Sequence, residues 1–177
     1  VIGVDGAQDF IDLAKKKNIG FEGKIDYHCA FVQNFFGDAD RDFVVGSYIL
    51  SYPKDLREAT EYCRAMAHHL KPGGAFIGFN NNPFEVFNGA RYFKYGFEKK
   101  MYGNTEGEKV IYRIAGMDNP IVNYYLRPET YERAFAESGF SHFGWQRALL
   151  HPSQNGNPYW DEFFKDQPPF VAILATK

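Results

Sequence analysis

The residues able to do chemistry sit where short apolar runs end. Asp5 closes Val1–Val4 and is followed at once by Gly6. Phe31 and Val32 close a second run from Ile25, and Ser47-Tyr48 close a third from Asp42. Asn80-Asn81-Asn82 follow a fourth, Ala75–Phe79. In open parallel sheets, ligands bind beyond the carboxyl ends of strands, where strand order reverses. A carboxylate at such an end, as Asp5 would be, can accept hydrogen bonds from both hydroxyls of a ribose. The same carboxylate can instead cap the helix that follows it. Metal chemistry finds no support. His68-His69 are helical neighbours pointing about 100° apart, so they cannot chelate as an i, i+4 pair would. His28, His142 and His151 have no ligand spacing.

The elements that must position these residues alternate. After the first strand, Ala7, Phe10, Ile11 and Ala14 recur at helical spacing. Ile25–Val32 reads as a second strand and Asp42–Tyr48 as a third, apolar at its centre as in strands buried on both faces. Leu56, Ala59, Cys63, Met66, Ala67 and Leu70 line one face of a helix that Lys71-Pro72-Gly73-Gly74 stops. Ala75–Phe79 is then a fourth strand. This order implies a parallel sheet covered by helices. Residues 83–126 break the rhythm. Phe97–Tyr102 and Lys109–Ala115 flank Gly103–Gly107 as a hairpin, with Ile121–Leu126 beside it. A helix over Pro128–Ser138 and two strands, Phe143–Leu150 and Phe170–Thr176, complete the chain. A Pro/Asn/Gly-rich insertion holding Tyr159-Trp160-Asp161 separates those two strands.

The 177 residues fit one domain. A net charge of −2 gives no reason to expect a nucleic-acid partner; Arg91, Lys94, Lys99 and Lys100 read as a solvated face. No apolar run approaches the ~20 residues of a membrane span. Cys29 and Cys63 form neither a metal knuckle nor a disulfide framework, which points to a reduced, cytoplasmic location. Aromatic residues make up 18% of the chain and crowd between residues 76 and 131, either as core or as the wall of a site.

V-I-G-V-D-G, D-F-V-V-G-S-Y and L-K-P-G-G-A-F-I together resemble class I S-adenosylmethionine-dependent methyltransferases over most of the chain. The resemblance implies a Rossmann-like, doubly wound, mostly parallel α/β sheet with an antiparallel last strand and an inserted antiparallel β lid. S-adenosyl-L-methionine is the implied cofactor. Asp5 would hold the ribose and Gly6 would make room. Phe31 and Val32 would meet the adenine, and Ser47 and Tyr48 the methionine part and the transferred methyl. Two departures stand out. The acidic G-x-G loop is absent and should precede Asp5 by about 20 residues, so the first strand and that loop are expected ahead of Val1. Weak cofactor binding by these residues alone, or none, is the corresponding expectation. The Asp that many relatives carry after the third strand is replaced by Cys29-Ala30-Phe31-Val32. N-N-N-P-F, R-Y-F-K-Y-G-F-E-K, N-Y-Y-L-R-P-E-T-Y-E-R-A-F and W-D-E-F-F further resemble the toxoflavin-synthase-like small-molecule methyltransferases.

Methyl transfer from a sulfonium needs alignment and dryness more than acid–base groups. A base matters only if the acceptor must lose a proton first. Residues placed for that are Tyr48, Asn80, Asn82, Tyr95, Glu98, Tyr124, Tyr125 and His151, with Tyr48, Asn80, Tyr95 and Glu98 as the catalytic candidates. Within a single domain of residues 1–177, the segment 83–126 is the expected lid and substrate subdomain. Phe84, Phe87, Tyr92, Phe93, Tyr95 and Phe97 can line a flat pocket, or form a small satellite core. Asn80, Asn82, Tyr92, Tyr95 and Tyr125 are the substrate candidates, for a small acceptor such as a planar heterocycle, methylated at N or O. The alternatives are an NAD(P)-binding Rossmann enzyme and a non-catalytic or truncated interaction domain of the same fold.

Overall fold

Helices and strands follow the periodicities closely in the computed structural model, which describes residues 1–85, 89–164 and 168–177. Phe87 lies outside the described residues. The order is β1 (Ile2–Asp5), α1 (Gln8–Lys17), β2 (Asp26–Cys29), β3 (Arg41–Ser47), α2 (Leu56–His69) and β4 (Leu70–Asn81). Then come β5 (Gly89–Arg91), β6 (Phe97–Met101), β7 (Lys109–Ile114) and β8 (Ile121–Tyr124). The chain closes with α3 (Pro128–Glu137), β9 (His142–Arg147), α4 (Asp161–Phe164) and β10 (Phe170–Thr176).

Three sheets form. β1 and β2 make a parallel pair. The main sheet has the order β3-β4-β10-β9, with β3 parallel to β4 and β10 antiparallel to both its neighbours. β5-β6-β7-β8 is wholly antiparallel and is inserted between β4 and α3. The Rossmann-like expectation holds, with the antiparallel last strand and the inserted antiparallel sheet in place.

α2 starts where the Asp55 carboxylate accepts the Glu58 N–H at 2.8 Å, satisfying one of the donors a helix start leaves open. Its face of Ala59, Cys63 and Met66 packs with Ala134 and Phe135 of α3 on Phe76 and Ile173 of the main sheet. The Phe76 ring lies flat on that sheet because Gly46 and Gly78 flank it. A Cβ at Gly78 would come within 2.6 Å of the ring. The helix ends at His69, one residue before the Leu70 expected on its face, and β4 begins at once, at Leu70. Lys71-Pro72-Gly73-Gly74 is therefore part of the strand. Gly73 takes φ +79°, and the segment is tied to the chain end by Gly73 N–H to Lys177 O and Lys177 N–H to Gly74 O.

An expectation about burial also fails. β3 is not buried on both faces: Phe43 is 63% and Val45 74% exposed. With their cross-strand neighbours Ile77 and Leu174 and nearby Phe79, they leave an apolar sheet face open, opposite the one α2 and α3 cover. β3 is hydrogen-bonded on one side only, and β1-β2 form a separate sheet, so no described element fills that layer. An apolar centre records that a strand can be buried twice; whether it is depends on what packs there.

Candidate functional site

The end of β1 gathers an acid, a glycine and an aromatic ring. The Asp5 Oδ1 accepts the Ala7 N–H at 2.8 Å, shaping the turn into α1. Ala30 N–H bonds Asp5 O at 2.9 Å and joins the two strand ends. Any Cβ on Gly6 would lie 2.9 Å from the Phe31 ring, so only glycine allows that ring to settle there. Asp5 is exposed and Phe31 60% exposed. The Val32 side chain turns away and packs on the core.

At the end of β3 the backbone is strained. Tyr48 adopts φ 57°, ψ 9°, left-handed geometry that costs a non-glycine residue roughly 1–3 kcal/mol. Its N–H bonds Phe79 O at 2.7 Å, and its carbonyl accepts Ser51 N–H at 3.0 Å. Burial pushes the phenol's pKa up. Ser47 is exposed at the same strand end and pairs with Phe79 in register.

The three asparagines after β4 separate in purpose because alternate strand residues face opposite ways. Asn80 is fully buried on the helix side, where its Oδ1 accepts the Ser51 hydroxyl at 2.5 Å. Nearby, the Tyr131 hydroxyl donates to Leu50 O at 3.2 Å, and burial drives that phenol's pKa up. Asn81 faces the inserted sheet, accepting from the Tyr112 hydroxyl at 2.8 Å and donating to Asn123 Oδ1 at 3.3 Å. Asn82 accepts Phe84 N–H at 3.0 Å and donates to Pro168 O at 2.8 Å, stitching the strand end to the last segment.

Beneath the inserted sheet lies a buried ion pair. Lys99 Nζ bonds Glu85 Oε2, with the two residues 1% and 2% exposed. The Tyr92 hydroxyl donates to Glu85 Oε1 at 2.7 Å. Burial first, and the Glu85 carboxylate second, raise the Tyr112 phenol well above its ordinary pKa. A cavity of about 10 Å³ opens here, bordered by Asn81, Lys99, Val110, Tyr125 and Tyr131 among others. It has room for one water.

Other candidates are committed elsewhere. The Tyr95 hydroxyl bridges Tyr159 O at 2.9 Å and Phe163 N–H at 3.0 Å, while its ring stacks on Trp160 with 6° between planes. It clamps the 158–164 segment to the inserted sheet. Glu98 pairs with Arg113 at 3.2 Å. The Tyr125 hydroxyl reaches Pro83 O at 3.3 Å, Tyr124 borders the cavity, and His151 accepts Ser153 N–H. Among the described residues, no cluster of His, Cys, Asp and Glu could hold a metal, and no helix is long and apolar enough to cross a membrane.

Glu85, Tyr112 and Asn123 escaped the sequence reading, and Lys99, expected on a solvated face, is instead 1% exposed and bonded to Glu85. A signal existed for Lys99. Phe97, Lys99 and Met101 share one face of β6 by strand alternation, which places the lysine between two apolar, inward-facing residues.

Comparison with solved structures settles the architecture. A Mesorhizobium loti S-adenosylmethionine-dependent methyltransferase superposes with a TM-score of 0.68 at 19% identity, covering 100% of this chain and 80% of that one. A Clostridium acetobutylicum S-adenosylmethionine-dependent methyltransferase gives 0.69 at 14%, covering 99% and 74%. The fold is that of S-adenosylmethionine-dependent methyltransferases. An S-adenosylmethionine-bound amino pentose methyltransferase of calicheamicin biosynthesis, from Micromonospora echinaspora, gives 0.67 at 16%, covering 99% and 73%. No family model and no curated protein matches the sequence. The methyltransferase fold is thus carried by architecture, across identities too low to transfer a residue's role.

Proposed function

We propose S-adenosylmethionine-dependent methyl transfer to the nitrogen or oxygen of a small molecule. The observation that carries it is the Asp5–Gly6–Phe31 cluster at the carboxyl end of β1, within this fold. The cluster fits the cofactor. Asp5 spends one oxygen on the Ala7 N–H. A carboxylate has about four acceptor sites, so others remain for ribose hydroxyls. The exposed Phe31 ring offers a face to adenine.

The cofactor supplies the electrophilic methyl and its own leaving group. The chain's residues orient and dry the acceptor. Strain at Tyr48 aims a protonated phenol from the end of β3, where it can donate to an acceptor oxygen or nitrogen. The inserted sheet, clamped by Tyr95, excludes water. A neighbour that acts on an amino pentose supports a small acceptor.

Isothermal titration calorimetry of S-adenosylmethionine tests the reading. Asp5→Ala should weaken binding about tenfold, or ~1.4 kcal/mol. Equal affinities for the two proteins would remove the ribose assignment.

A further inference from the structure

The tip of the β6–β7 hairpin, the residues before α2 and the start of α3 meet at one corner of the molecule. Gly107 N–H bonds Tyr125 O at 2.8 Å, and Tyr125 N–H bonds Glu108 O at 2.7 Å. Gly107 takes φ +78°, and a Cβ there would lie 2.8 Å from Lys54 O, so only glycine lets the tip rest against that carbonyl. Glu106 beside it reaches the start of α3, where its Oε2 accepts the N–H and the Nε–H of Arg127, both at 3.0 Å. The corner encloses a cleft of about 440 Å³, bordered by Leu56, Glu106, Arg127, Glu129, Thr130 and Arg133. Sites for small molecules run from roughly 300 to 1,000 Å³.

Two guanidiniums and two carboxylates border this cleft, so their charges sum to zero. Their hydrogen-bonding capacity is only partly used. Arg127 commits its Nε to Glu106, and Arg133 commits its Nε to Glu137 at 2.7 Å. Among the described residues, the Nη groups of both arginines have no hydrogen-bond partner. The same holds for Glu106 Oε1, the Glu129 carboxylate and the Thr130 hydroxyl. Glu129 and Arg133 stand four residues apart on α3, acid first, the spacing at which such pairs usually form. Here Arg133 turns to Glu137 instead and leaves Glu129 unpaired. A guanidinium takes a carboxylate through two parallel N–H···O bonds, and a carboxylate takes an ammonium. A lone carboxylate in the cleft would also meet Glu106 and Glu129, and a lone ammonium would meet both arginines. A molecule carrying both charges a few bonds apart satisfies both sets. Leu56 adds apolar surface for a short aliphatic chain.

We propose that this cleft binds a small zwitterion of the α-amino acid type, its carboxylate on the free Nη groups of Arg127 and Arg133 and its ammonium on Glu129 and Glu106 Oε1. The site uses none of the residues assigned to S-adenosylmethionine, so it stands or falls independently of the methyl-transfer reading.

The test titrates three probes into isotope-labelled protein: leucine, isovalerate as its carboxylate half and isopentylamine as its ammonium half. The Thr130 backbone amide and the arginine Nε signals report binding. Leucine should shift the Thr130 amide and the Arg133 Nε signal, and each half-molecule should bind at least about fivefold more weakly, as the loss of one partly exposed ion pair requires. Arg133→Gln should weaken leucine by a similar factor while leaving isopentylamine no weaker. Glu129→Gln should also weaken leucine but leave isovalerate no weaker. Both side chains are exposed, so neither variant threatens the fold. The proposal falls if leucine at about 20 mM moves neither reporter, or if either half-molecule binds the unmodified protein as tightly as leucine. It falls as well if either variant binds leucine as tightly as the unmodified protein does.

Discussion

The end of β1 and the seam under the inserted sheet are both polar, yet they are built in opposite ways. At β1 the groups are few, exposed and local: Asp5 bonds two residues onward, and Gly6 and Phe31 meet across one strand pair. At the seam, partners come from β4, β6, β7, β8 and the residues after β4, separated by 14 to 42 positions, and almost every atom is out of water. A site that must admit a charged, flexible ligand from solvent can afford loose groups. A joint between two sheets cannot, because each unpaired buried group costs free energy.

The contrast makes the seam the more fragile region. Lys99→Ala strands the Glu85 carboxylate in the interior and should cost about 3–5 kcal/mol in chemical denaturation. A loss under about 1 kcal/mol would mean water reaches the pair and the seam is not dry. Asn81→Leu removes the acceptor of Tyr112 and the donor to Asn123 together, with about 1–3 kcal/mol expected in the same measurement. A comparable loss, about 1–3 kcal/mol, should follow Gly78→Ala, since the new methyl meets the Phe76 ring and strain in the core owes nothing to polarity.

Alkaline pH sharpens the comparison further. Burial raises the phenols of Tyr48, Tyr112 and Tyr131 above their ordinary value of 10.0. The unfolded chain then loses those protons first. Their contribution is complete below pH 10 and drains away as pH rises toward the folded values. Thermal melts from pH 8 to 11 should fall beyond pH 10, less steeply in Tyr112→Phe; identical slopes would place Tyr112 in contact with water. The smallest effect belongs to β1. Asp5→Ala should change stability by no more than about 0.5 kcal/mol, because the carboxylate is exposed. A larger loss would make its bond to Ala7 structural before all else.

Much of this was legible beforehand where short-range rules apply. The α2 face, the β6–β7 hairpin and the chain-terminal strands follow from period and turn chemistry. Asp5, Gly6 and Phe31 were legible as a group because all three end parallel neighbours. The seam was not, because a lone lysine in F-E-K-K-M carries no mark of its partner; only the alternation with Phe97 and Met101 pointed it inward. Nor could N-N-N announce three separate destinations.

The amino-acid sequence by itself determined the elements, the helix faces, the strand-end positions of the candidate residues and the resemblance to methyltransferases, since these rest on spacings of a few residues. Tertiary structure alone decided that Asn80, Asn81 and Asn82 serve three different neighbours, that Lys99 is buried on Glu85, and that Phe43 and Val45 face outward. Those outcomes depend on which surfaces meet across the fold, and pairing over such separations leaves no local trace in the chain.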